Sequence, residues 1–181
     1  IGFCLVGSEM CIRDSGETIQ HMPIVQDHKR AYENDTGPNT GGMGTYSNFD
    51  HSLPFLEGQD VEAAKRINEL TMRALKEKTG MNYMGVLYGG FMAVRDGVRL
   101  IEYNARFGDP EAMNVLSLLE TDLIEICKAV TEKKLSNIKI QFDKKATVCK
   151  YAVPQGYPDS PIKGEKICLL YTSDAADEGH C

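Results

Sequence analysis

Two apolar runs near the middle of the chain meet at a tight turn, and this pair restricts the possible folds more than any other feature. The runs read MGVLYGGFMAV and VRLIEYNAR, and the tripeptide RDG lies between them. An Asp-Gly pair between apolar runs is a strong short-range signal for a β-hairpin. The sequence therefore predicts an antiparallel pair of strands at the centre of the chain.

The second strand of this hairpin carries more polarity than a buried strand needs. Successive side chains of a strand point to opposite faces, so Leu100, Glu102 and Asn104 should share one face. Ile101 and Tyr103 should lie on the other face. The first face therefore combines a carboxylate with an amide oxygen.

This combination suits a hard cation. Mg²⁺ takes oxygen ligands and commonly uses one or two protein groups, with water and phosphate completing its shell. If the strand continues, Arg106 joins Glu102 and Asn104, and its charge would stabilise transferring phosphoryl oxygens. A structural alternative stays open, in which Glu102 is a solvated strand residue or an ion-pair partner.

Helices are predicted on both sides of the hairpin. Apolar and small residues recur at spacings of three and four before it, which predicts an amphipathic helix ending at Gly80. After the hairpin, Asp109 is a candidate N-cap with Pro110 at the first helical position. Asp122 begins a further helix with a capping-box pattern, and we expect that helix to reach about Leu135.

A glycine-rich stretch precedes the first of these helices. Residues 19–25 alternate as a short strand, and residues 31–50, AYENDTGPNTGGMGTYSNFD, contain glycine, proline, asparagine and aspartate throughout. We expect neither helix nor strand to persist there. Glycines leave backbone N–H groups free to approach phosphates, although a mobile loop without function is the alternative.

Composition excludes several classes of function. The formal net charge is −6 and the isoelectric point is about 5.3, so a basic surface for nucleic acid is not expected. No run of eighteen apolar residues and no signal-peptide pattern is present, which predicts a cytoplasmic protein without a membrane partner. The scattered cysteines predict neither a disulfide framework nor a metal cage.

The two ends of the chain differ from the remainder. Residues 1–15 and 168–181 show no helical or alternating period. Their segments EMCIRDS and CLLYTS translate back to DNA stretches that are reverse complements and resemble the transposon end of sequencing-library adapters. We therefore predict that both ends are translated adapter outside the native fold, and that the remaining coding region is open at both ends. An ordinary variable terminus is the alternative.

Two stretches carry a resemblance to a known family. The stretches QDHKRAYENDTGPNTGGMGTYS and IEYNARFGDPE resemble the phosphoribosylamine-glycine ligase family of ATP-grasp enzymes, and the similarity extends over residues 16–167. The resemblance implies an α+β fold. Residues 16–143 would be the C-terminal part of an ATP-grasp domain, an antiparallel sheet with packed helices, and residues 144–167 would begin a small C-terminal β-rich domain.

The family's reaction belongs to purine biosynthesis. It joins glycine to 5-phosphoribosylamine through glycyl phosphate, using ATP with Mg²⁺ or Mn²⁺, and gives glycinamide ribonucleotide, ADP and phosphate. The resemblance implies these small-molecule partners alone, and we expect a monomer. The family's N-terminal domain and nucleotide-clamping strands have no counterpart here, so we expect this chain to be inactive by itself.

The resemblance also implies roles for individual residues. Glu102 and Asn104 match the metal ligands, and Arg106 matches the catalytic arginine that follows them. Substrate-binding roles fall on Asp27, His28, Lys29, Arg30, Gly108 and Asp109, and the phosphate loop contains Gly37, Asn39, Gly41, Gly42 and Gly44. Because the strand LYGGFMAV carries no acidic ligand, the number of metal ions stays open.

Two other interpretations compete with this one. Another ATP-grasp ligase or carboxylase would keep Glu102, Asn104 and Arg106, but should lack the GPNTGGMG and FGDPE segments that this chain contains. A non-enzymatic binding module would use the acidic strand for structure only, and would gain no stability from nucleotide.

Overall fold

The structure, a computed structural model, describes residues 5–14 and 18–164. The chain divides into two compact units, residues 1–151 and 152–181. The strands of the first unit are β1 (Leu5–Arg13), β2 (Ile19–His21), β3 (Val25–Tyr32), β4 (Thr36–Ser47), β5 (Gly85–Val94), β6 (Gly97–Asn104) and β7 (Thr147–Lys150). Its helices are α1 (Gly58–Thr79), α2 (Glu111–Leu118) and α3 (Leu123–Thr131). None of the described helices is long and apolar enough to cross a membrane.

The strands form one seven-stranded antiparallel sheet in the order β6-β5-β1-β3-β4-β7, with β2 paired to β1. Buried residues of α1 pack on one face, where Met72 contacts the cluster of Cys11 and Leu87. Residues of α2 and α3, including Val115 and Ile126, pack with the larger cluster on the other face. The sheet is therefore covered by helices on both sides.

The position of β1 corrects one expectation from the sequence. Residues 1–15 were expected to lie outside the fold, but Leu5–Arg13 pairs along its whole length with β5. Met10, Cys11 and Ile12 are buried there. A strand covered on both faces needs no polar alternation, which explains the missing period. The adapter origin of this segment concerns its DNA and stays a prediction; residues 168–181 lie outside the described residues.

The glycine-rich stretch corrects a second expectation. Residues 31–50 do not form a loop, because β4 pairs with β3 on one side and β7 on the other. A short 3₁₀ turn, Glu33–Asp35, joins β3 to β4. Strand formation here depends on the neighbours rather than on propensity. A Cβ on Gly44 would lie 2.8 Å from the Cys149 carbonyl oxygen, so this glycine permits the close approach of β7.

The predicted hairpin and the first helix are both confirmed. Strands β5 and β6 pair from Tyr88–Asn104 to Val94–Gly97. The register shifts between the pairs Gly90–Glu102 and Phe91–Leu100, so Ile101 is an extra residue on β6. The alternation expected from Leu100 is interrupted there, whereas Glu102 and Asn104 keep their common face. Helix α1 ends at Thr79, followed by Gly80 in the left-handed conformation with φ of 70°.

The start of α2 differs from the prediction. Pro110, rather than Asp109, occupies the N-cap position, and no side chain caps this end. The Asp109 carboxylate instead accepts a hydrogen bond from the Tyr151 hydroxyl at 2.5 Å. A tertiary contact therefore replaces the expected local cap.

Helix α3 begins as predicted and ends earlier. The Asp122 carboxylate accepts hydrogen bonds from the backbone N–H groups of Ile124 and Glu125 at 2.7 and 3.2 Å. The helix stops at Thr131 rather than near Leu135, and Lys133 has a φ of 62°. A left-handed residue cannot continue a right-handed helix, so the chain turns away at this point.

The boundary between the compact units also lies later than expected. Residues 144–167 were expected to begin a second domain, but β7 is hydrogen-bonded to β4 of the first sheet. The division falls after Tyr151. In the second unit, residues 152–164 are described, and they form turns in which Ser160 N–H donates to the Gly156 carbonyl at 2.8 Å.

Candidate functional site

A cavity of about 290 Å³ opens where β3, β4, the end of β6 and the start of α2 meet. Its lining residues are Asp27, Lys29, Thr40, Gly41, Tyr88, Glu102, Asn104, Arg106, Gly108, Asp109 and Glu111. The β3–β4 hairpin and the β5–β6 hairpin therefore both contribute to it. The cavity is lined by the polar end of β6, which the sequence analysis identified, and by residues that are far away from it in the chain.

The end of β6 supplies the cation-ligand candidates and the arginine. Glu102, Asn104 and Arg106 line the same cavity. The Arg106 guanidinium donates to the Phe107 carbonyl at 2.7 Å and to the Asn104 side-chain oxygen at 3.4 Å. These two contacts hold the guanidinium beside the amide. One face of β6 and the loop after it thus present a carboxylate, an amide and a guanidinium group to the same cavity.

Lys29 of β3 connects the two hairpins across the cavity. Its ammonium donates to the Glu102 carboxylate at 3.0 Å and lies 3.9 Å from the nearer Asp27 oxygen. Asp27 and Lys29 are two residues apart on β3, so they share the face that looks into the cavity. The cation partly neutralises two carboxylates that come from different strands.

Asp27 is a buried titratable group in the wall of this cavity. Its side chain is 1% exposed, and its Oδ1 atom has no hydrogen-bond partner among the described residues. Burial raises the pKa of Asp27 to about 7, and the negative charge of Glu111 adds to this effect. The charge of Lys29 acts in the opposite direction. Desolvation disfavours the charged carboxylate because water no longer solvates it.

Residues missed by the sequence reasoning complete the inner wall. Glu111 is 1% exposed and accepts a hydrogen bond from the Tyr88 hydroxyl at 2.8 Å. Burial, followed by the charge of Glu111, raises the pKa of Tyr88. Thr40 donates to the Lys29 carbonyl at 2.9 Å. Glu111 was visible in the FGDPE segment, but only the fold shows that its side chain turns inward.

Several residues expected at the site do not line the cavity. These are His28, Arg30, Gly37, Asn39, Gly42 and Gly44, whereas Asp27, Lys29, Gly41, Gly108 and Asp109 do line it.

His28 and Arg30 have contacts outside the cavity. The His28 ring lies 6.0 Å from the Tyr46 ring, and Arg30 donates to the Gly37 carbonyl at 2.8 Å. Gly42 has a φ of 146°, and a Cβ there would lie 2.8 Å from Pro110 Cδ. In this structure these residues shape the β3–β4 hairpin rather than the cavity surface.

The donor set at the end of β6 fits a hard divalent cation. Glu102 offers a carboxylate and Asn104 an amide oxygen in the same cavity. Among the described residues, no group of three or more His, Cys, Asp or Glu side chains converges to hold a metal. Two protein ligands suffice for Mg²⁺ when water and phosphate complete the octahedron. The chemistry of these residues therefore matches a metal–phosphate site.

Comparison with known families identifies the domain. The sequence model of the phosphoribosylglycinamide synthetase, ATP-grasp (A) domain, matches residues 3–112. This range contains all strands from β1 to β6 and the polar residues that line the cavity as far as Glu111.

Individual relatives agree with the family match. The phosphoribosylamine–glycine ligase of Methanocaldococcus jannaschii is 57% identical over 154 residues, which is 85% of this chain and 34% of the relative. That of Methanosarcina barkeri is 50% identical over 173 residues, 94% of this chain and 40% of the relative. The chain therefore spans less than half the length of these relatives.

Solved structures show the same fold. The phosphoribosylamine–glycine ligase of Thermotoga maritima has a TM-score of 0.72 at 28% identity, covering 92% of this chain and 40% of that chain. N5-carboxyaminoimidazole ribonucleotide synthetase from Thermus thermophilus has a TM-score of 0.57 at 15% identity, covering 82% and 35%. The second likeness concerns the fold alone.

Proposed function

Because this chain belongs to the phosphoribosylglycinamide synthetase ATP-grasp (A) domain family, we propose that it is part of an enzyme that joins glycine to 5-phosphoribosylamine using ATP. The products would be glycinamide ribonucleotide, ADP and phosphate, formed through glycyl phosphate in purine biosynthesis. One observation carries the proposal: Glu102, Asn104 and Arg106 meet Lys29 of the other hairpin in one cavity.

Glu102 and Asn104 would hold Mg²⁺ or Mn²⁺ there, and the metal would neutralise phosphate charge on ATP. In the structure, one Glu102 oxygen accepts a hydrogen bond from Lys29. Lys29 would therefore keep this carboxylate in place and reduce the repulsion between Glu102 and the phosphates. The side chain of Glu102 is 48% exposed, so ligands can reach its other oxygen.

Arg106 would bind the transferred phosphoryl group. Its guanidinium is already oriented by the Asn104 side chain and the Phe107 carbonyl. A planar fork holds phosphate oxygens in a fixed direction, which a lysine point charge does not do. Phosphoryl transfer depends mainly on such positioning and charge stabilisation. Gly108 and Asp109 lie next along the cavity wall, where glycine or the sugar amine would bind.

Two alternatives are weighed against this proposal. The family match over residues 3–112 favours this family over another ATP-grasp ligase or carboxylase. The non-enzymatic alternative draws on the ion pair between Lys29 and Glu102, which would make Glu102 purely structural. An exposed ion pair contributes about 1 kcal/mol or less to stability, so the two roles predict different effects of mutation.

The test uses a chimera in which residues 18–164 replace the matching segment of the Methanocaldococcus jannaschii relative. We expect ADP formation that requires both glycine and 5-phosphoribosylamine. In this chimera, Glu102→Gln should reduce turnover about 100-fold or more and raise the Mg²⁺ concentration needed, because one ligand charge is lost. Its melting temperature should change little.

Glu62→Gln is the matched control, since the Glu62 side chain is 73% exposed on α1 and lies outside the cavity lining. It should leave turnover and Mg²⁺ dependence unchanged. Unchanged turnover in Glu102→Gln would remove Glu102 from the site and favour the structural alternative. Arg106→Lys should also lose turnover, because a point charge cannot replace the fork.

The chain by itself should release no ADP with glycine and 5-phosphoribosylamine. It spans 34% of the Methanocaldococcus jannaschii relative, so most of that relative's length has no counterpart in it. Losing the groups that hold reactants in line removes many powers of ten in rate. We also propose that the enzyme is cytoplasmic and acts as a monomer, as expected from the sequence.

A further inference from the structure

A hydrogen bond from the end of β7 reaches the wall of the cavity. Tyr151 follows directly after β7, and its hydroxyl donates to Oδ1 of Asp109 at 2.5 Å. Asp109 lines the cavity, whereas Tyr151 is not among the residues that line it. A residue outside the cavity therefore contacts a side chain to which the proposed function gives a role in substrate binding.

The backbone on either side of this hydrogen bond is fixed by tertiary contacts. The Tyr151 N–H donates to the Met43 carbonyl at 3.1 Å, which continues the pairing of β4 with β7 by one residue. On the other side, a Cβ placed on Gly108 would lie 2.6 Å from Glu111 Oε2, so the chain before Asp109 is packed against the inner wall. The fold therefore determines where both partners begin.

The Asp109 side chain has less support than its backbone. It is exposed, and among the described residues Tyr151 is the side chain that hydrogen-bonds it. It does not cap α2, because Pro110 occupies the N-cap position. An unrestrained surface carboxylate would rotate among several rotamers. The Tyr151 hydroxyl therefore selects one orientation of this carboxylate.

The Tyr151 hydroxyl is a donor throughout the neutral pH range. The hydrogen bond to Asp109, followed by desolvation and the charge of that carboxylate, raises the pKa of Tyr151 to about 12. The phenol therefore keeps its proton at neutral pH, as the donor role requires. A hydrogen bond from a hydroxyl to a charged carboxylate is shorter and stronger than one between neutral groups.

The attachment of β7 to the rest of the fold does not depend on this hydrogen bond. Thr147, at the start of β7, accepts from the Asn114 amide of α2 at 3.0 Å and forms a hydrogen bond of 2.6 Å with Ser47 of β4. Backbone pairing also joins β7 to β4 along its whole length. Because β7 is already tied to β4 and to α2, the contact at Tyr151 is better explained by its effect on Asp109.

We propose that Tyr151 is a positioning residue of the ligase reaction: its hydroxyl holds Asp109 by Oδ1 and leaves Oδ2 available to the substrate that binds along the α2 side of the cavity. The inference rests on the proposed function, in which glycine or 5-phosphoribosylamine binds beside Gly108 and Asp109. Tyr151 acts through Asp109 alone. Its hydroxyl therefore affects the binding of one of these two substrates and not the metal–phosphate end at Glu102 and Arg106.

The test measures steady-state kinetics of the chimera with the Methanocaldococcus jannaschii relative, varying ATP, glycine and 5-phosphoribosylamine in turn. Tyr151→Phe should raise the KM for glycine or for 5-phosphoribosylamine about fivefold to tenfold, because the ring stays and only the hydroxyl is lost. The KM for ATP and kcat should change less than about twofold. A purely structural contact would instead lower the melting temperature and leave all three KM values unchanged, which would overturn the proposal.

Two control variants separate positioning from stability. Thr147→Val loosens β7 without removing a partner of Asp109, so it should lower the melting temperature and leave every KM unchanged. Tyr83→Phe is the matched loss of a hydroxyl, since Tyr83 donates to the Val86 carbonyl at 2.7 Å and packs with the buried cluster on the α1 side of the sheet. It should leave KM and kcat unchanged. A rise of KM in either control as large as that in Tyr151→Phe would overturn the proposal.

A double-mutant cycle tests whether Tyr151 acts through Asp109. Asp109→Ala should raise the same KM by at least as much as Tyr151→Phe does. Adding Tyr151→Phe to Asp109→Ala should then change that KM by less than about twofold, because the hydroxyl has already lost its partner. Effects that multiply in the double variant would show that Tyr151 acts by another route, and the proposal would then be wrong.

A measurement on the 181-residue chain requires no activity. Tyrosine labelled with ¹³C at Cζ is followed by NMR from about pH 8 to about pH 11, and the Tyr151 signal is assigned by its loss in Tyr151→Phe. This signal should show little ionisation at the upper limit, because Asp109 raises the pKa of Tyr151 to about 12. In Asp109→Ala its midpoint should fall toward 10, the ordinary value for tyrosine. Circular dichroism checks folding over the same range, and equal titration in both chains would contradict the proposal.

The inference and the proposed function fail in different ways. An active chimera in which Tyr151→Phe leaves every KM unchanged retains the ligase function and overturns the role of Tyr151. An inactive chimera overturns the ligase function, whereas a Tyr151 titration that depends on Asp109 still shows that the pair forms in the chain.

Discussion

The two hairpins that flank β1 line the same cavity but are encoded differently. The β5–β6 hairpin has apolar strands and a short turn at Asp96, and its pairing shows one register shift. The β3–β4 hairpin has glycines along β4, a 3₁₀ turn between the strands, and two register shifts. The regular hairpin supplies Glu102 and Asn104 at its end, whereas the irregular one supplies buried Asp27 and Lys29.

The comparison shows that β4 depends on its surroundings far more than β6 does. Gly44 lies against the backbone of β7, and Gly42 lies against Pro110 before α2. Neither contact is local in sequence. An irregular strand of this kind can bring the backbone close to other elements, but it forms only when those elements are present.

The largest expected effect comes from removing the strand between the two hairpins. A chain lacking residues 1–14 loses the pairing of β1 with β3 and β5 and the buried side chains of Met10, Cys11 and Ile12. We expect it to lose cooperative folding, measured by thermal melting and circular dichroism. A trimmed chain that melts like the full chain would show that the hairpins assemble without β1. Removing residues 168–181 should leave the melt unchanged.

The next effect separates two neighbouring glycines of β4. Gly42→Ala should lower the free energy of unfolding by about 3 kcal/mol, because its backbone is left-handed and the new Cβ meets Pro110. Gly41→Ala is the matched control, since a Cβ there has no heavy atom within 4 Å, and it should change stability by about 0.5 kcal/mol or less. Chemical denaturation measures both. Equal effects would show that the contact with Pro110 does not constrain β4.

A smaller effect concerns the buried carboxylate of β3. The pKa of Asp27 rises from 3.8 to about 7 on folding, so between these values the folded protein binds more protons than the unfolded chain. The contribution of the protonated Asp27 carboxyl to folding stability is therefore fully present below pH 3.8, and it is lost as the pH rises through about 7. Asp27→Asn should remove this slope and stabilise the protein by about 1–2 kcal/mol at pH 8. Denaturation at several pH values measures this, and an unchanged slope in the variant would contradict it.

The smallest effect is expected at the turn of the regular hairpin. Asp96→Asn breaks the exposed ion pair with Arg99, in which Arg99 Nη2 lies 2.7 Å from Asp96 Oδ2. Asparagine is also a favoured turn residue before Gly97. Stability should change by about 0.5 kcal/mol or less. A loss as large as that of Gly42→Ala would show that the β5–β6 hairpin is no more locally encoded than the β3–β4 hairpin.

The features read correctly from the sequence depend on short stretches. The hairpin of β5 and β6, the end of α1 at Gly80 and the cap at Asp122 are all confirmed. The common face of Glu102 and Asn104 follows from alternation over three residues, and both line the cavity. The family resemblance is confirmed as well, because it depends on two contiguous motifs.

The features missed depend on contacts between distant residues. β1 was expected outside the fold and lies in the middle of the sheet, and β4 was expected as a loop. That Glu111 and Asp27 line one cavity was not anticipated either, because these residues are far apart along the chain and only the fold brings α2 to β3.

The sequence by itself therefore determined the locally encoded elements of this protein: the regular hairpin, the long helix, the caps at Gly80 and Asp122, and the polar end of β6. Tertiary structure alone decided that a segment without periodicity is the middle strand, that a glycine-rich stretch is extended, and that Asp27 and Glu111 are buried in the wall of one cavity. The physical reason is the range of the interactions. Turn chemistry and side-chain alternation act within a few residues, whereas strand pairing, burial and desolvation depend on whatever the fold places alongside.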